Sequence, residues 1–106
     1  MRCLTRLLCV SALLVSVAFG ESLSETRKKA EKGDATAQFN LGWMYATGDG
    51  VPKDLVQAHA WWNIAGSQGF EDAKKNLVSI EKEMTAEQKA EATKLERELF
   101  ARLRKK

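Results

Sequence analysis

The residues able to do chemistry are few and poorly placed for it. His59 is the single histidine among 106 residues. A histidine acts as a general acid–base or a metal ligand only beside partners, and no Cys, His or Glu stands at ligand spacing from it along the chain. His59 is therefore read as a packing or surface residue. Asp49, Gly50 and Asp54 suggest the start of a calcium loop, but its ordered ligand positions and closing Glu are missing. A glycine turn followed by a helix cap accounts for them. Gly48-Asp49-Gly50 is not followed by the Gly-Lys-Ser/Thr of a phosphate loop. Serines, threonines and the single tyrosine have no neighbouring base to activate them. The expectation is a protein without catalytic residues, metal or cofactor.

The N-terminal residues bear on location. Arg2 and Arg6 frame the start of an apolar run over residues 7–19, interrupted only by Ser11 and Ser16. Ala18-Phe19-Gly20 then places small residues three before and one before a cut, which is the layout of a secretory signal peptide cleaved between Gly20 and Glu21. The 13-residue run is short for a spanning helix, which takes about 18 residues or more. Export to a bacterial periplasm, or secretion, is expected, with no stable membrane insertion after cleavage. Losing Arg2 and Arg6 takes the formal charge from +3 to +1. A near-neutral chain gives no electrostatic ground for binding nucleic acid. Cys3 and Cys9 both fall in the same segment, so the stability of the remainder must come from packing without disulfides.

Beyond residue 20 the chain is rich in Ala, Leu, Glu, Lys and Gln and holds one Pro. Turn signals divide it into helical lengths. Residues 24–32 form a short polar segment, with Ser24 as its N-cap and Gly33 ending it. Residues 35–46 place Ala37, Leu41, Met44 and Tyr45 on one face. Residues 55–67 carry the stripe Ala58, Trp61, Trp62, Ala65; Asp54 caps them, with Gln57 in position to reach back. Residues 71–83, followed by Met84, align Ala73, Leu77, Ile80 and Met84. Residues 85–103 open with a Thr85/Gln88 capping box and align Ala92, Leu95, Leu99 and Leu103. Lys94 with Glu98, and Glu98 with Arg102, are four-apart pairs on the wet side of that segment.

A repeat underlies these segments. Gly33 and Gly69 are 36 residues apart, and the same shift superposes Ala37 on Ala73, Asn40 on Asn76 and Leu41 on Leu77. That period belongs to helix–turn–helix solenoids, in which each helix pair needs a neighbour to cover its apolar face. Small residues at Gly42, Ala58 and Ala65 allow two antiparallel helices to cross closely, and Tyr45 and Trp61 are large enough to fill the space beside them.

These residues resemble a Sel1-like repeat, a relative of the tetratricopeptide repeat. Ala37-Gln38-Phe39-Asn40-Leu41-Gly42 is similar to the family's first helix. Tyr45, Gly48, Gly50, Val51 and Asp54 match its loop, and Ala58, Trp61, Ala65 and Gly69 its second helix. Gly66 departs from the pattern, which usually has Ala there, and is expected to loosen the end of that helix. The resemblance implies an all-α, right-handed helical-repeat solenoid. Its parts are a signal peptide (1–20), an N-terminal helix (21–34), one repeat (35–69), a partial second repeat (70–84) and a C-terminal capping helix with a basic tail (85–106). The last helix either caps the solenoid or docks on another chain.

The function implied by the resemblance is that of an exported adaptor or scaffold, a monomer or weak homo-oligomer that binds another protein or peptide. The alternatives are a structural subunit of an envelope complex and a cell-wall-acting or β-lactamase-like enzyme. The second of these is disfavoured by the lack of mature cysteines and of a nucleophile–base pair. On a helical wheel Phe39 and Trp43 lie opposite the Ala37 face. They form either an exposed aromatic patch or a contact with a flanking helix such as the N-terminal one. With their 36-residue counterparts Lys75 and Ser79 they are the candidate partner-binding residues.

Overall fold

The computed structural model describes residues 22–104. Among these residues there are five α-helices and no strand: α1 (Leu23–Glu31), α2 (Ala35–Thr47), α3 (Leu55–Ser67), α4 (Glu71–Glu81) and α5 (Ala86–Arg104). The fold is an all-α helical repeat. The expected signal segment, its cut between Gly20 and Glu21, and the last two residues of the basic tail lie outside the described residues. No helix among the described residues is long and apolar enough to cross a membrane.

Side-chain caps set most of the helix starts. Ser22, two residues before the expected cap Ser24, accepts from the backbone N–H of Glu25 and opens α1. Asp34 accepts from the N–H groups of Thr36 and Ala37 to open α2. Asp54 does the same for α3 through Val56 and Gln57, at 3.0 and 3.2 Å. Gln57 does not close that box: the Asp54 N–H donates instead to the Tyr45 carbonyl at 2.9 Å, tying the loop to the end of α2. The Thr85/Gln88 box closes in both directions, at 2.9 and 3.1 Å. α2 ends at Gly48, whose φ of 77° puts it in the left-handed region where a side chain would be strained.

α3 is the centre of the molecule, packed by α2, α4 and α5, while α1 packs on α2. Eight consecutive or near-consecutive residues of α3 are buried, from Ala58 through Gly66 with only Asn63 excepted. The expected stripe Ala58, Trp61, Trp62, Ala65 is thus too narrow; the helix is enclosed on nearly all sides, as a central helix must be. One apolar cluster joins Ala30, Ala37, Leu41, Ala60, Trp61, Ile64 and Leu99; the other joins Ala58, Trp62, Ala65, Ala73, Ile80, Met84 and Ala92. Tyr45 packs against both.

One expectation about packing is corrected. The large residue set against Gly42 is Trp62, not Trp61: a Cβ on Gly42 would stand 2.5 Å from the Trp62 indole. α5 covers α3, and its Ala92 joins Ala73 and Ile80 of α4 in the second apolar cluster. Its Arg102 reaches Glu31 of α1 at 3.8 Å, the one near ion pair that side chain makes among the described residues.

Candidate functional site

The Gly42–Trp62 contact creates the most distinct surface feature. With no side chain at position 42, the Trp62 indole approaches α2 closely, and its N–H donates to the Phe39 carbonyl at 3.0 Å. The next helical turn carries Trp43 outward, 52% exposed. Between Trp43 and Ala46 of α2, Leu55 and Trp62 of α3, and Asn76, Ser79 and Ile80 of α4 runs a cleft of about 170 Å³, with Glu83 at its margin. Its apolar walls can receive an apolar side chain, while Asn76 and Ser79 offer hydrogen bonds and Glu83 a negative charge. Val78, the neighbour of Ser79, is 61% exposed.

The four candidate binding residues do not form one patch. Trp43 and Ser79 meet in this cleft. Lys75 is exposed on α4 but is not part of its lining. Phe39 is packed against flanking helices rather than exposed: it is half-buried, stacked on Phe70 at 4.8 Å between ring centroids and tilted against Trp62 at 6.3 Å. The wheel placed it opposite the apolar face of α2, but α2 has a second apolar face, against the second core cluster.

The polar interior was not visible in the segment patterns. Gln38 is fully buried; its amide N–H donates to the Ala30 carbonyl at 3.0 Å and its oxygen accepts from Gln68 at 2.6 Å, joining α1, α2 and the end of α3. His59, read as a residue without partners, has two. It is 9% exposed, with Nδ1 2.7 Å from Oε1 of Glu96 and Nε2 2.9 Å from Oε1 of Glu81. The bond to Glu96 holds its pKa above the ordinary 6.5, aided by Glu81, while burial acts in the opposite direction. The partners lie 37 and 22 residues away in sequence, beyond any spacing rule. A signal did exist: Glu96 interrupts the stripe Ala92–Leu99 at the i+4 position of a buried helix face. Among the described residues no group of three or more His, Cys, Asp or Glu is arranged to hold a metal ion.

Comparison with known proteins agrees with this architecture. Residues 35–70 match the family model of the Sel1 repeat, which covers α2, α3 and the turn to α4. The chain is similar to chitin synthase regulatory factor 3 of Schizosaccharomyces pombe, 46% identical over 57 residues, a stretch that is 54% of this chain and 6% of that protein. It is also similar to the secretory immunoglobulin A-binding protein EsiB of Escherichia coli, 42% identical over 55 residues, 51% of this chain and 11% of that protein. The shared stretch is a small part of either relative.

Proposed function

This chain carries a Sel1 repeat over residues 35–70, and we propose that it works as a protein-binding module, with no reaction of its own, through the cleft between α2, α3 and α4. The observation that supports this reading is Trp43: it stands exposed beside a ready-made apolar cleft, while Trp61 and Trp62 are packed away. Aromatic side chains at the lip of a pocket are common anchors of protein–protein contacts. By their names, one relative regulates a synthase and the other binds an immunoglobulin, and a partner that is itself a protein fits this cleft. Trp43 supplies the anchor, and Ser79 and Asn76 orient the bound segment. The partner is met outside the cytoplasm, in the periplasm or beyond, after removal of residues 1–20; the support for this is the Arg2, Arg6 and 7–19 pattern.

Affinity capture with the full chain and with a Trp43→Ser, Ser79→Arg variant tests the reading. The unaltered chain is expected to retain a protein that the variant loses at least tenfold, with thermal midpoints of the two chains within a few degrees. Equal capture by both would contradict the assignment of the cleft. Intact mass of the protein recovered from an envelope extract tests the location, since a species still carrying Met1 would contradict export with cleavage.

A further inference from the structure

His59 sits where three helices meet. It lies in the second turn of α3; Glu96 comes from α5, and Glu81 is the last residue of α4. Both ring nitrogens are within hydrogen-bond distance of a carboxylate oxygen. An ionised carboxylate has no proton to donate, and a neutral imidazole has a single N–H. A neutral ring would therefore satisfy one of these contacts and set lone pair against lone pair at the other. The imidazolium, with two N–H groups, satisfies both.

Burial adds to the argument. Glu96 is 8% exposed on the inner face of α5, between Ala92 and Leu99. A carboxylate so placed needs a positive partner, and among the described residues His59 is that partner. The charged groups acting on His59 are Glu96 and Glu81. α2, packed on another side of α3, carries no charged residue at all; the rest of the inner faces of α4 and α5 is apolar, formed by Ala73, Ile80, Ala92 and Leu99.

We infer that His59 is held as an imidazolium that fastens the C-terminal helix and the end of α4 to the repeat, and that this fastening is pH-responsive: closed in acid, opened on one side as the medium becomes alkaline. The side that opens follows from exposure. A neutral ring keeps one N–H, and the buried Glu96 has the greater need of it. The Glu81 side chain is 46% exposed and can exchange the ring for water. Release of Glu81 frees the last turn of α4, whose Ile80 lines the Trp43 cleft.

The direction of the pH dependence is fixed by the raised pKa. A group whose folded pKa lies above its unfolded value of 6.5 contributes stability fully below 6.5, and that contribution is lost as pH rises through the folded value. Because the chain has one histidine, nitrogen-15 NMR of the full chain reads this ring without ambiguity. At pH 6.5 both ring nitrogens are expected in the protonated form, with a titration midpoint above 6.5. Above that midpoint, protection factors corrected for the intrinsic pH dependence of amide exchange are expected to fall at residues 80–85 and to hold at the centre of α3. Glu81→Gln is expected to lower the midpoint, and His59→Gln to abolish the fall in melting temperature that the unaltered chain shows as pH rises through it. A ring with one N–H at pH 6.5, or a midpoint at or below 6.5, would overturn the inference; both are read on the unaltered chain, so a variant that fails to fold does not obscure the result.

Discussion

The helix pairs α2–α3 and α4–α5 start alike and finish differently. α2 and α4 begin 36 residues apart, and each buries an alanine at its third position, Ala37 and Ala73. Thereafter they diverge. α2 has Gly42 under the Trp62 ring, whereas α4 has Val78 at the same step, 61% exposed. The linker from α2 runs over residues 48–54 and turns on two glycines of positive φ; the linker from α4 runs over residues 82–85 without one. As a result α3 lies tightly on α2, but α5 leaves α4 and crosses to α3. The period alone does not make a repeat. What closes the pair is a position with no side chain facing an aromatic ring, together with a loop long enough to bring the second helix back over the first. Where both are missing, the last helix finds another partner, and the uncovered face of α4 becomes one wall of the Trp43 cleft.

Substitutions in the two helix pairs test this contrast, and the largest effect is expected at Trp62. Trp62→Ala removes a buried ring at a cost of about 3–5 kcal/mol, against a total stability of about 5–15 kcal/mol for a domain of this kind, and should abolish cooperative melting by circular dichroism. Val78→Ala should stay within about 0.5 kcal/mol of the unaltered chain. Similar losses for the two would mean that the asymmetry between the pairs is not energetic. Next in size is Gly42→Ala. The added methyl would meet the Trp62 ring at 2.5 Å; overpacking costs about 1–3 kcal/mol, offset in part by the roughly 1 kcal/mol that Ala gains over Gly inside a helix. A lower denaturation midpoint with a red-shifted tryptophan emission is expected, and a raised midpoint would mean that the close approach is not needed.

Smaller effects distinguish the two linkers. Asp54→Ala and Thr85→Ala each remove a helix cap worth about 1 kcal/mol. Loss of the first should speed amide exchange throughout α3 and its neighbours, because α3 is central; loss of the second should speed it only in the first turn of α5. The smallest effect is expected at Gly66. A Cβ there would meet Lys74 Cγ at 3.1 Å, and this flexible stem can swing aside, so Gly66→Ala should leave the midpoint unchanged or raise it by up to about 1 kcal/mol. A marked loss would show that the Lys74 stem is held in place.

The helices, their caps and the repeat were legible because each is written locally: caps sit beside the N–H groups they accept from, and apolar stripes recur every three to four residues. α3 matched its expected span of 55–67, while α4 closed at Glu81 rather than 83. What was not legible depends on residues brought together from a distance. One helix wheel cannot show that α2 has two packed faces, so it leaves open whether Phe39 is exposed or packed, and the structure packs it. Trp61 and Trp62 are adjacent, and which of them meets Gly42 depends on the crossing of two helices. The His59 contacts join three helices, and the clue lay in the charged residue that breaks the stripe of α5.

The cleft beside Trp43 is proposed as the place where another protein docks. The most direct measurement places a photo-crosslinking residue at Ser79, inside the cleft, and in a second full-length chain at Arg97, exposed on α5. Both are irradiated with the captured partner. A covalent adduct from position 79, absent when Trp43 is changed to Ser, is the expected result. Adducts from position 97 with none from position 79 would place the binding surface on the C-terminal helix and contradict the account.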